Sequence, residues 1–331
     1  MDMIYTQEPQ IRLNQPIALS QSEAFDADQH ASNLTDWQQE YDQISSGHFY
    51  GRITELPMGN LQVFHEFTSQ TLHQTCNVWP DSLWIGIAAS PEASSRINGY
   101  EVGAYDVMCR PGNTEFELVT PENHDIYGLV VSHHALQNMA AVQGIQINWS
   151  ELMHNERLHI PEDTLRSIRF LLQRLLREPR AQNASKLQYN LVMMAILELL
   201  QNETPMQETQ PSHHKRKAVV EEARLFLQLH KDEPITISDL CEQLNVSRRT
   251  LQYSFESIIG VSPVQYLRMA RLNAVRRALT HASADMTVTD IATQWGFWHL
   301  SQFSKDYKQL FGEKPSETRL KLPHSFGGLR S

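Results

Sequence analysis

The chain has 331 residues, 41% hydrophobic and 20% charged, with a formal net charge of −10. That length predicts two or three domains rather than one core. The composition excludes a membrane helix, which needs about 18 consecutive apolar residues, and three scattered cysteines, Cys76, Cys109 and Cys241, make no disulfide framework.

The start of the chain is polar and lacks an export signal, so a cytoplasmic protein is expected. The charge is divided unevenly. Residues 1–211 carry 11 Lys+Arg against 26 Asp+Glu, a balance of −15, whereas residues 212–331 carry 17 against 12, a balance of +5. Such asymmetry suggests a nucleic-acid module joined to something else.

In chain order, residues 1–35 are polar and unpatterned, which predicts a flexible tail. Residues 36–202 form one predicted domain. From about Tyr50 to Val131 apolar residues recur at a period near two, as in Thr114-Glu115-Phe116-Glu117-Leu118. Pro57-Met58-Gly59-Asn60 and Arg110-Pro111-Gly112-Asn113 punctuate the runs, so short strands in a sandwich or barrel are expected. The spacing then turns helical: Pro161-Glu162-Asp163-Thr164 starts a helix with Leu165, Ile168, Leu172 and Leu175 on one stripe, and a second carries Leu187, Leu191 and Met194. This pair either covers the sheet or offers a dimerisation face. Residues 203–217 are polar and proline-bearing, a predicted linker.

Residues 218–322 contain an internal repeat. Leu240, Leu244-Asn245-Val246, Leu251, Phe255, Gly260 and Pro263 recur as Ile291, Trp295-Gly296-Phe297, Phe303, Tyr307, Gly312 and Pro315. The offset is 51 residues before the turn and 52 after it. Each copy reads as helix, tight turn, helix, at about 237–258 and 288–311. Thr236 or Ser238 and Thr287 or Thr289 are candidate caps, and Asn245 and Gly296 accept the left-handed turn conformation. Ser262-Pro263 opens a joining helix with Leu267, Ala270, Ala274 and Ala278 on one stripe.

Val246-Ser247-Arg248-Arg249-Thr250-Leu251, Ile291-Ala292, Gly296-Phe297 and Phe303-Ser304 with Tyr307, Phe311-Gly312 and Pro315-Ser316 resemble the AraC/XylS family of transcription regulators. The resemblance implies two helix-turn-helix units reading successive major grooves. The family's base-reading positions fall on Arg249, Gln252 and Tyr253, and in the second unit near Leu300, Ser301, Gln302 and Lys305. Arginine can bridge guanine O6 and N7, and glutamine adenine N6 and N7. Tyr253 departs from the arginine often found there. Arg248, Arg268, Arg271, Arg276 and Lys308 are candidates for the DNA backbone, with solvated charge as the alternative.

The amino-terminal half adds Trp37-Gln38-Gln39, Val78-Trp79-Pro80-Asp81-Ser82 and Arg110-Pro111-Gly112-Asn113-Thr114-Glu115, and the second unit Trp295-Gly296-Phe297-Trp298-His299-Leu300. These resemble regulators of ethanolamine utilisation. The implied fold is α+β: a cupin-like β-barrel with a helical pair, then an all-α domain. The implied effector is ethanolamine, with a cobalamin as co-effector. The implied partners are a double-stranded DNA operator, RNA polymerase, the small-molecule effector and a second copy of the chain, but no membrane. An activator is the expected function.

No catalytic residue or metal site is expected. His65, His73 and His124 lack the spacing of a metal-binding cupin, and no phosphate loop or nucleophile elbow is present. Cys76 or Cys109 could serve as a redox switch, although lone cysteines usually fill cores. Trp79 and Trp84 are candidate walls of an effector pocket. Alternation puts Glu115 and Glu117 on one face and Phe116 and Leu118 on the other, and burial favours the second pair inside. Two alternatives stand beside a regulator: a cupin-type enzyme carrying a helix-turn-helix domain, and an architectural DNA binder without effector.

Overall fold

A computed structural model describes residues 18–91, 94–177, 185–203, 211–230, 233, 235–283 and 285–320. Twelve described strands form two antiparallel sheets. The larger orders β1 (Ser20–Ala24), β3 (Gly51–Pro57), β4 (Leu61–Thr68), β11 (His124–Ser132), β6 (Ser82–Ala88), β9 (Asp106–Pro111) and β12 (Arg157–His159). The smaller orders β2 (Gln38–Gln43), β5 (Leu72–Asn77), β10 (Phe116–Thr120), β7 (Ser95–Ile97) and β8 (Tyr100–Val102). The expected barrel is therefore not closed: the described strands make two open sheets packed face to face.

Phe64 and Trp84 from the larger sheet and Leu72, Cys76, Phe116 and Leu118 from the smaller fill the space between them. Gly128 is needed there, because a Cβ on it would lie 2.0 Å from the Phe64 ring. Helices α2 (His133–Gln143), α4 (Glu162–Leu175) and α5 (Ser185–Gln201) cover the outer face of the larger sheet. That is why every residue of β6 is buried: Leu83, Ile85 and Ile87 meet the helices, and Trp84 meets the other sheet. Short α3 (Trp149–Leu152) leads into β12.

The expected tail over 1–35 is corrected from residue 18 onward. β1 pairs with β3, and α1 (Ala27–Ala31) is capped by the Asp26 carboxylate. A strand at a sheet edge needs only backbone pairing, and β1 buries only Ala24, so it left no hydrophobic pattern to detect. Residues 1–17 lie outside the described residues. The predicted linker, 203–217, overlaps the start of α6 (Pro211–Leu229), which buries Val220 and Ala223 and so begins on tertiary contacts; residues 204–210 lie outside the described residues.

The rest is helical: α7 (Ile237–Gln243), α8 (Arg248–Ile258), α9 (Pro263–His281), α10 (Val288–Gln294), α11 (Leu300–Phe311) and α12 (Pro315–Leu320). They build two small cores, one around Leu240, Leu251 and Phe255, the other around Ile291, Phe303 and Tyr307.

The two halves meet along the outer face and edge of the smaller sheet. Asn273 on α9 treats the edge strand β2 as another strand would. Its Oδ1 accepts from the Gln43 N–H at 3.1 Å, and its Nδ2 donates to the Gln43 carbonyl at 3.0 Å. The Leu310 carbonyl at the end of α11 accepts from the Gln43 side chain at 2.7 Å and from the Gly47 N–H at 2.9 Å. At the end of α8, Ile258 packs so close to Gly99 that a Cβ there would lie 2.7 Å away. Among the described residues no helix is long and apolar enough to cross a membrane.

Candidate nucleic-acid interface

Two helix pairs, α7/α8 and α10/α11, are built by the same local chemistry. The Thr236 hydroxyl caps α7 and the Thr287 hydroxyl caps α10, each completing a capping box with the acid three residues on, Asp239 and Asp290. Bonds from the capping threonine hold both carboxyls below their usual range, chiefly the Thr236 backbone N–H for Asp239 and the Thr287 hydroxyl for Asp290. Asn245 and Gly296 sit at φ 50° and 78°. The next residue bonds back across each turn: the Val246 N–H to the Cys241 carbonyl at 3.0 Å, the Phe297 N–H to that of Ala292 at 2.9 Å. The inserted residue of the second copy lies in the turn. Ser247 caps α8 directly, whereas Trp298 and His299 separate Phe297 from α11, whose start has no side-chain cap.

Each second helix buries one stripe and exposes the other. On α8, Leu251, Phe255 and Ile258 are buried, while Arg248, Arg249 and Tyr253 are exposed and Gln252 is half-exposed. On α11, Phe303, Tyr307 and Phe311 are buried, while Leu300, Ser301, Gln302, Lys305 and Lys308 are exposed. The candidate base-reading residues of each copy thus share that copy's outward stripe. Gln252 donates to Glu256 and Gln302 to Asp306 one turn on, which orients both amides along the helix surface. The Arg216 guanidinium lies 5.2 Å from the Tyr253 ring. Trp298, 69% exposed, also lies beside α11, and periodicity gives no sign of it because a turn residue belongs to no periodic stripe.

The five candidates for the DNA backbone divide. Arg248 reaches the Ser238 hydroxyl at 2.9 Å and remains exposed, and Lys308 is exposed. Arg268 is half-exposed and paired with Asp306. Arg276 is withdrawn: its side chain is only 12% exposed, bonded to Asp26 and 3.0 Å from Glu313. Arg271 is withdrawn too, half-buried, with its guanidinium donating to the Ile235 carbonyl. Sequence could not separate these five, because the carboxylate that takes Arg276 lies 250 residues earlier.

The candidate effector residues are placed differently. Trp84 is buried in the sandwich, its ring stacked on Phe116 at 4.7 Å, and the neighbouring void is about 10 Å³, room for about one water. Trp79 packs, partly buried, against the same core. Trp84 is thus part of the core, and the space beside it is far smaller than an effector. Glu117 faces the other way and pairs with Arg224 of α6. Burial pushes the Cys109 thiol up to about 12 and raises that of Cys76, so neither forms a reactive thiolate.

Residues 240–321, which run from the middle of α7 through α12, match the helix-turn-helix domain family. A probable thc operon regulatory protein of Rhodococcus erythropolis is 36% identical over 99 residues, 30% of this chain and 30% of that one. The chain thus spans under a third of that relative's length. A solved structure titled a probable AraC family transcriptional regulator, from Rhodopseudomonas palustris, is 32% identical over 32% of this chain and 99% of the other, with a TM-score of 0.30. The XylDLEGF operon transcriptional activator 2 of Pseudomonas putida is 32% identical over 122 residues, 35% of this chain and 78% of the relative. The chain belongs to the AraC family. AraC-family relatives are transcription regulators and not enzymes, and the family model matches this chain in its helical C-terminal region. The exposed stripes of α8 and α11 are accordingly the candidate DNA surface of this AraC-family protein.

Proposed function

We propose that the protein is an effector-responsive, sequence-specific transcription activator whose C-terminal region carries two helix-turn-helix units. The observation that carries this reading is the duplicated pair of capped helices, each turning on a left-handed residue and each presenting a polar stripe outward. Helix α9, with 19 residues, spans about 28 Å. That is close to the roughly 34 Å of one duplex turn, so α8 and α11 are suited to successive major grooves. Arg249 and Gln252 read bases from the first unit, and Ser301, Gln302 and Lys305 from the second. Tyr253, held under Arg216, offers an aromatic face to a thymine methyl.

Arg249→Ala is expected to weaken an operator at particular base pairs by about 1–3 kcal/mol. Lys308→Ala should weaken all sequences alike and make the salt dependence shallower. Binding to a base-substitution series of the operator tests this: an Arg249→Ala profile parallel to wild type removes the base-reading role.

Effector response is supported by the way the N-terminal half seats the ends of both second helices, α8 through Gly99 and α11 through Gln43 and Gly47. Dimerisation through α4 and α5 is supported by Phe170, Leu187, Leu191 and Met194, which stay exposed on the helices that cover the larger sheet. Ethanolamine with a cobalamin, acting on an amine-catabolic operon through RNA polymerase, is the finer reading from motif resemblance. Calorimetric titration of the full chain with ethanolamine, with and without a cobalamin, tests it, and absence of heat removes it.

A further inference from the structure

A cavity of about 490 Å³ lies between the halves. The outer face of the smaller sheet supplies Glu40, Asp42, His73 and Thr75, and helices α6 and α9 with Trp295 supply the rest. It is far larger than the void inside the sandwich, about 10 Å³. The stripe Ala270, Ala274 and Ala278 lines this space, although Ala270 and Ala278 also pack against the two helical cores. Three methyl groups in succession leave room that larger side chains would have filled.

The charges along this wall are separated. Near one end Arg277 serves three carboxylates, Asp42 at 2.9 Å, Glu40 at 3.1 Å and Asp28 at 3.9 Å, an excess of negative charge. Burial and the neighbouring carboxylates raise both aspartyl groups, although Arg277 opposes the rise. Near the other end the half-buried Arg271 guanidinium donates to the Ile235 carbonyl and has no carboxylate partner among the described residues. Six residues of α9 put the two ends about 9 Å apart along the helix axis. Arg224 adds no free charge, since it is paired with Glu117 and bonds the Thr75 hydroxyl. Burial lowers the His73 imidazole to about 3, so it is neutral. Glu233 is exposed, and Tyr266 and Trp295 offer flat aromatic faces.

We infer that this cavity binds a small zwitterion: a carboxylate on Arg271, an ammonium at the Glu40–Asp42 end, and a short apolar body across Ala274. An ammonium offsets the surplus of carboxylates and is favoured over an aromatic face, and a guanidinium holds a carboxylate in two parallel hydrogen bonds. The walls come from both halves, so such a ligand stabilises the arrangement in which they are docked. The inference deepens the proposal of an effector-responsive regulator and rests on it.

The probes are 4-aminobutanoate, 6-aminohexanoate and 8-aminooctanoate, each beside the alkyl carboxylate and the alkylamine of the same length. They are titrated calorimetrically into the full chain, with DNA binding measured on the same preparation. At least one amino acid is expected to bind about tenfold or more tighter than both of its monofunctional relatives. Arg271→Gln should abolish that advantage while leaving the affinity for the alkylamine of the same length unchanged. Ala274→Leu, which fills the cavity without touching a charge, should weaken all the probes. A carboxylate or amine that binds as tightly as its amino acid at every length overturns the inference. So does the absence of heat with every probe at about 10 mM. Absence of heat with DNA binding intact defeats the cavity alone, whereas loss of DNA binding in the wild-type chain defeats the regulator reading.

Discussion

His73 and His124 are buried imidazoles, 3% and 2% exposed, one at the junction of the halves and one inside the sandwich. Burial lowers them from an ordinary value of 6.5 to about 3 and about 4. Between about 6.5 and those values the unfolded chain takes up protons that the folded chain refuses, so stability is full above pH 6.5 and falls as the pH drops toward 4. Each histidine can contribute up to about 1.4 kcal/mol per pH unit in that window. Urea midpoints at pH 7 and pH 5 should differ, and His73→Phe should flatten the difference. An unchanged slope in that variant would show that other groups govern it. Arginine shows the same dependence on place: Arg249 and Arg276 are alike in sequence, and only packing sends one to the surface and the other into a carboxylate pair.

At the scale of elements, the duplicated helix pairs depend on interactions within a few residues. Thr236→Ala and Thr287→Ala should each cost about 1 kcal/mol, because each leaves the first turn without its hydroxyl acceptor. Gly296→Val should cost about as much or more, since a β-branched residue tolerates φ 78° poorly. Thermal unfolding checks both, and a Gly296→Val protein as stable as wild type would mean the turn has relaxed to another conformation. The sandwich follows a different logic. A strand such as β6, covered on both faces, loses its alternation, and an edge strand such as β1, held by backbone bonds, never had one.

For the whole molecule, the acidic N-terminal half and the basic C-terminal half are joined by ion pairs, Arg276 with Asp26 and Arg277 with Asp42 among them. Residues 212–331 alone lose the balance of −15 and free Arg277 from its carboxylates, while Arg276 keeps Glu313. That fragment is expected to bind random DNA more tightly than the full chain. Its salt slope should be steeper by up to about 0.9 where the freed Arg277 reaches a phosphate. Anisotropy titrations at several salt concentrations measure this, and equal affinity with equal slope would mean that the N-terminal half takes no cations from the DNA surface.

By itself the sequence determined the helix pairs, their left-handed turns and the outward stripes of α8 and α11, and narrowed each first cap to two residues. These follow from a 3.6-residue period and from side chains reaching three or four residues along the chain. It also determined that Phe116 and Leu118, not Glu117, point into the sandwich, because alternation and burial are local constraints. Only the tertiary structure decided that the sheets stay open, that Trp84 is core, that an alanine stripe lines a cavity, and that Arg271 and Arg276 are held by groups of the protein itself. For the two arginines the partner lies 36 and 250 positions away. Periodicity carries no information at that range, because an unsatisfied charge or an open volume exists only once both partners are in place.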